Sequence, residues 1–103
     1  MKKILLLTTT ESNEDLAKHL AKLLIQKKLA GCISINEIYS TYTWEEKIEQ
    51  KQEFKIVVKS IPEKLDDLII AIKQETTFEV PQIIYKYLDT ELDYYNWIRN
   101  QVH

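Results

Sequence analysis

The sequence predicts an α+β sandwich in the order strand, helix, two paired strands, helix, strand, closed by a further helix. Three observations carry this. Short apolar or alternating runs stand near both ends and through the middle, and stretches of helical spacing separate them. Residues 32–59, CISINEIYSTYTWEEKIEQKQEFKIVVK, hold two long β-type runs rich in Ile, Val, Tyr, Thr and Trp. One glycine and two prolines in 103 residues leave few places where regular structure must break.

Residues 3–9 form a continuous apolar run with polar flanks, as expected of a strand buried on both faces. Glu11-Ser12-Asn13 offers helix caps. From Asp15 the period changes, and Leu16, His19, Leu20, Leu23, Leu24 and Lys27 share one face of a helix of about four turns. Gly31 stands where a helix C-terminus would turn into the next strand. The two runs of residues 32–59 then make a hairpin that turns around Glu45, Glu46 and Lys47. Each arm has about a dozen residues against a usual 5–6, so the tip projects beyond the sheet that packs its base. Tyr42 and Trp44, two apart, stand on one face of that tip. Little of their own chain remains to cover them, and a second subunit is the simplest cover.

Beyond the hairpin, Ser60 is expected to cap a helix with Pro62 in its first turn, an apolar stripe of Leu65, Leu68, Ile69 and Ile72, and an end near Glu75. Residues 78–81, Phe-Glu-Val-Pro, read as an extended connector, because the residue before a proline avoids the helical region. Residues 82–88 alternate as a fourth strand. Thr90 is expected to cap the closing helix, with Leu92, Tyr95 and Ile98 on one side. The whole order is that of a ferredoxin-like βαββαβ sandwich, one domain spanning residues 1–103.

Composition narrows the function. A net charge of -2 with acids and bases interleaved leaves no basic footprint for nucleic acid and no polybasic patch for a membrane. No stretch approaches the roughly 20 apolar residues of a membrane span. The start MKKILLL stops being apolar at Thr8, short of an export signal. A lone cysteine makes no internal disulfide, so a reducing cytoplasm is expected.

Catalytic machinery is scarce, and no enzyme activity is expected. His19 lies inside a helix and His103 ends the chain, so neither is placed for acid–base work. Cys32 reads as a packing residue before a reactive one. One glycine makes no phosphate loop. Glu53 and Lys59 share a strand face with Lys55 and Val57. That face is either a solvated surface or one wall of a cleft between subunits, to which Cys32, Phe78, Glu79 and Tyr85 would contribute. Tyr42-Thr43-Trp44 reads as an interface anchor, because the basic groove that base stacking needs is missing.

Leu29-Ala30-Gly31-Cys32-Ile33, Tyr42-Thr43-Trp44, Glu53 with Lys59, Phe78-Glu79-Val80-Pro81 and Tyr95-Asn96-Trp97, in that order and spacing, resemble the CutA family of divalent-cation tolerance proteins. The resemblance covers nearly the whole chain. It implies a tight homotrimer whose long hairpins reach neighbouring subunits, and a link to copper and other divalent cations. Two positions depart from the family pattern. Where the family carries His-Pro-Tyr this chain has Thr76-Thr77-Phe78, and where some relatives place a cysteine it has Thr9. Without imidazole or thiolate there, copper and zinc lose their preferred ligands. Glu79 and Thr76 remain as weak candidates for a loosely held divalent cation, and no resident cofactor is expected. The alternative is a trimeric sensor similar to the PII signalling group, with a small anionic effector in its inter-subunit clefts. A single arginine, Arg99, weighs against that.

Overall fold

A computed structural model describes residues 2–102. The elements run β1 (Lys2–Glu11), α1 (Glu14–Gln26), β2 (Cys32–Trp44), β3 (Lys47–Ser60), a 3₁₀ turn (Pro62–Lys64), α2 (Leu65–Glu75), β4 (Ile84–Thr90) and α3 (Leu92–Gln101). One antiparallel sheet in the order β2-β3-β1-β4 carries them, the strand order of the ferredoxin-like arrangement. The central position of β1 explains its composition, since it pairs along both edges and is covered by helices fully on one face and in part on the other.

Side-chain alternation divides the sheet. Leu5 and Leu7 of β1 with Ile56 and Val58 of β3 face Ala17, Leu20 and Leu24 of α1 and Leu68, Ala71 and Ile72 of α2, all essentially inaccessible. Ile4 points the other way and joins Ile61, Ile98 and Val102, with Cys32 and Leu88 packed against them. The closing helix α3 therefore covers part of the second face. The remainder of that face, toward Thr10 and Glu53, has no helix over it.

Helix ends depart from expectation in three places. Asn13 caps α1, its side chain accepting from the Leu16 amide at 2.9 Å. The far end of α1 is closed by Lys28, not Gly31. Lys28 takes φ 59°, its amide donates to Ile25 and the Leu29 amide donates to Leu24, which is a Schellman closure with lysine at the left-handed position. Gly31 is needed for closeness instead: a Cβ there would stand 2.9 Å from Ile98 Cδ1. Ser60 is no cap. It is fully buried and donates to the Leu29 carbonyl at 2.6 Å, while the following turn starts at Ile61 without a side-chain cap. The closing helix is capped by Glu91, which accepts from the Tyr94 amide at 2.7 Å, because Thr90 is still the last residue of β4. The fourth strand begins at Ile84, two residues later than the alternation suggests.

The hairpin is as long as expected. Trp44 pairs with Lys47 across a two-residue turn in which Glu45 and Glu46 both take left-handed φ, 51° and 65°. Only residues 54–60 of β3 also pair with β1, so residues 38–44 and 47–53 form a free two-stranded ribbon. Seven residues at about 3.3 Å each make it roughly 20 Å long. The protein measures 46 × 25 × 22 Å along its principal axes.

Candidate functional site

Where the ribbon leaves the sheet, the segment between α2 and β4 bends past it, and a groove of about 760 Å³ opens between them. Tyr42, Trp44 and Glu49 line the ribbon side, and Thr77, Phe78 and Glu79 the opposite side. The strand register explains the ribbon side. Tyr42 lies opposite Glu49, Ser40 opposite Lys51 and Ile38 opposite Glu53, so these side chains share one face. The deepest lining residues are Thr10, 7% exposed, and Glu53, 8% exposed.

The opposite side is anchored by a residue that sequence reasoning placed among the helix caps. Glu11 is the last residue of β1 and only 2% exposed. Its carboxylate accepts from the Thr77 hydroxyl at 2.6 Å, the Thr77 amide at 3.2 Å and the Ser12 amide at 3.2 Å. Thr76 then accepts from the Phe78 amide at 3.1 Å. These bonds orient Phe78 and Glu79 toward the groove. Alternation from Leu5 and Leu7 could have found Glu11, since every second residue of β1 on that face is buried.

Of the expected cleft residues the groove gathers Glu53, Phe78 and Glu79, and brings Tyr42 and Trp44 to them. Cys32, Lys59 and Tyr85 lie elsewhere. Lys59 shares the face of Glu53 but lies six residues along the strand, about 20 Å away, paired with Cys32. Cys32 packs on the cluster of Ile4 and Ile98, which fits a packing role. Tyr85 is in register with Leu7 and so belongs to the opposite face of the sheet, where it meets Tyr87 edge to face at 6.0 Å. Glu53 and Lys59 do share a face, and within one subunit the groove takes only the Glu53 end of it, with Tyr85 on the other face of the sheet.

The donor set does not fit a resident soft metal. The Thr77 hydroxyl is committed to Glu11, and Thr76 to the Phe78 amide. Thr9 is buried with its hydroxyl unbonded among the described residues. Among those residues no three His, Cys, Asp or Glu side chains come close enough together to hold an ion. His19 lies on α1, outside the groove lining, 3.9 Å from Glu75 and two-thirds exposed. His103 lies outside the described residues.

Comparison with known proteins agrees with this architecture. The family model of the CutA1 divalent ion tolerance protein matches residues 4–101. The divalent-cation tolerance protein CutA of Thermotoga maritima is 30% identical over 100 residues, 96% of this chain and 99% of that protein. Protein CutA 1, chloroplastic, of rice is 32% identical over 93 residues, 88% of this chain and 52% of that longer protein. Among solved structures, the periplasmic divalent cation tolerance protein CutA of Archaeoglobus fulgidus superposes with a TM-score of 0.93 at 31% identity, over 97% of this chain and 99% of its own. This chain is a member of the CutA family of divalent-cation tolerance proteins.

Proposed function

We propose that the chain works as a homotrimer that binds rather than catalyses, and that it serves the cellular response to divalent metal ions from the cytoplasm. The observation that carries the assembly is the uncovered ribbon. Tyr39 is 83% exposed and Ile48 77% exposed on one face, and Trp44 is 40% exposed on the other. Apolar side chains on both faces of a two-stranded ribbon are what a neighbouring subunit would bury. Its edge strand β2 also offers unpaired backbone groups along the outer side.

A binding role is supported by what lines the groove. Carboxylates, hydroxyls and aromatic rings converge there, and His19 stands apart. Copper or zinc held tightly by this chain is not part of the reading, because hydroxyls and carboxylates line the groove and neither imidazole nor thiolate does. An anionic effector is disfavoured by the acidic lining, in which Glu49, Glu53 and Glu79 outnumber Lys51. The lone cysteine, Cys32, supports a reducing compartment. No helix among the described residues is long and apolar enough to cross a membrane.

Native mass spectrometry of protein purified without chelators tests the reading. A trimer is expected, with no copper retained after desalting. A monomer would overturn the assembly, and stoichiometric copper would overturn the account of Thr76 and Thr77.

A further inference from the structure

The bare part of the sheet face opposite α1 and α2 carries charge that the fold leaves unmatched. The pairing register sets Lys86 and Lys59 on either side of Leu6, and Lys55 beside Thr10, so the three lysines share that face. None of their side chains has a hydrogen bond or an ion pair among the described residues. Between them lie Leu6 and Val57, partly exposed, and Ile84, 59% exposed. An apolar strip rimmed by bases fits a partner that is apolar along its middle and acidic at its edge. The free ribbon of residues 38–44 and 47–53 has that composition. Tyr39 and Ile48 project from the side of the ribbon that continues the helix-covered face of the sheet, where no helix reaches them. Its turn carries Glu45 and Glu46 against one base, Lys47, and neither glutamate has an ion pair among the described residues. The two surfaces lie on opposite faces of one layer, which is what face-to-face stacking of one copy on the next requires.

We propose that the ribbon of one copy lies across the bare sheet face of the next, with its Tyr39 and Ile48 on the apolar strip and its Glu45 and Glu46 among the three lysines. Each copy gives one surface and receives on the other, a head-to-tail contact that a ring of three closes. This rests on the homotrimer proposed above and names the surface that each ribbon covers.

Carbodiimide coupling of the wild-type protein, which joins a carboxylate to an amine only where the two touch, is the first test. Glu46 precedes Lys55 by nine positions of extended chain, roughly 30 Å, and Lys59 and Lys86 lie farther still, so links from the turn to these lysines form only between copies. Peptides joining Glu45 or Glu46 to Lys55, Lys59 or Lys86 are expected in the covalent dimer and trimer bands. Glu45→Lys with Glu46→Lys should raise the monomer fraction at micromolar protein at least about tenfold, and Lys59→Glu with Lys86→Glu should do the same, because each sets like charges against each other. All four changes together should return the fraction toward the wild-type value. Circular dichroism shows that each subunit stays folded, and where a variant does not fold the wild-type links decide. A trimer whose links all lie elsewhere would overturn the docking and leave the assembly standing, and so would charge reversals that leave the subunit count unchanged or a fourfold variant that recovers nothing. A wild-type monomer in native mass spectrometry would overturn the assembly itself.

Discussion

Glu11 and Thr77 are 66 residues apart in sequence, yet the carboxylate of one accepts the hydroxyl of the other at 2.6 Å. This bond ties the end of the central strand to the segment that forms one side of the groove. The Glu11 carboxylate also takes the Thr77 and Ser12 amides, so it is a three-donor anchor inside the fold. Replacing Glu11 with Ala should cost about 2–3 kcal/mol, because it strands donors that water reaches poorly. Thr77→Val should cost less, since both amides still reach the carboxylate. Chemical denaturation measures the cost, and hydrogen exchange at the Thr77 amide should accelerate in Glu11→Ala before global unfolding does. Equal stability of both variants and the parent would remove the anchor role.

Gly31 and Ile98 lock α3 onto the sheet. Gly31→Ala sets a Cβ 2.9 Å from Ile98 Cδ1 and 3.4 Å from Ile98 Cα, in a cluster where Ile98 is fully buried. Overpacking of this kind typically costs about 1–3 kcal/mol. Ile98→Val removes the Cδ1 atom, so the double variant should recover part of the loss. A double-mutant cycle by denaturation reads this directly, and strict additivity of the two changes would refute the contact.

At the end of α1 the opposite change should help. Lys28 holds φ 59° in a Schellman closure, a conformation that costs an L-residue roughly 1 kcal/mol and glycine little. Lys28→Gly is expected to raise stability by several tenths of a kcal/mol, the gain offset in part by the freer unfolded chain. A lower melting temperature in Lys28→Gly would show that the lysine side chain contributes more than its backbone strain costs.

Arg99 of α3 bonds Glu63 of the 3₁₀ turn, and that hydrogen bond holds the Glu63 carboxyl below the usual carboxylate range. A lowered pKa in the fold means stability present above the ordinary carboxylate pKa of about 4.3 and lost as pH falls through the folded value. Both side chains are roughly half exposed, so the contribution is small, on the order of 0.2–1 kcal/mol, and salt-sensitive. The wild-type advantage over Glu63→Gln should therefore be measurable near neutrality at low salt and be lost only as pH falls below the usual carboxylate range. An advantage that grows on acidification would contradict the pairing.

The period of apolar residues was enough to place the three helices, and alternation placed the strands, because burial in a two-faced sheet repeats every second residue. The ends were harder. Ser60, Thr90 and Gly31 look like punctuation in sequence, yet Ser60 and Gly31 serve tertiary packing and Thr90 extends a strand. Lys28 took the left-handed site that a glycine usually fills, so nothing in its identity marked it. The candidate cleft was half legible. Tyr42, Trp44 and Glu53 follow from alternation once the turn at Glu45 and Glu46 sets the register. Which distant residues meet them depends on how the segment after α2 bends, and that is decided by Glu11, on another strand.

The central place of β1 also dictates an order of events. Its partners are β3, some fifty positions downstream, and β4, whose Thr90 pairs with Lys2. The β2–β3 ribbon, by contrast, joins neighbours across a two-residue turn and closes at little entropic cost. During synthesis the ribbon can form while β1 still waits for the strand that completes it, leaving an apolar run without its full cover until the last helix has emerged. The molecule thus acquires its most exposed part first and its most enclosed part last, so its vulnerable interval is the time taken to translate β4 and α3.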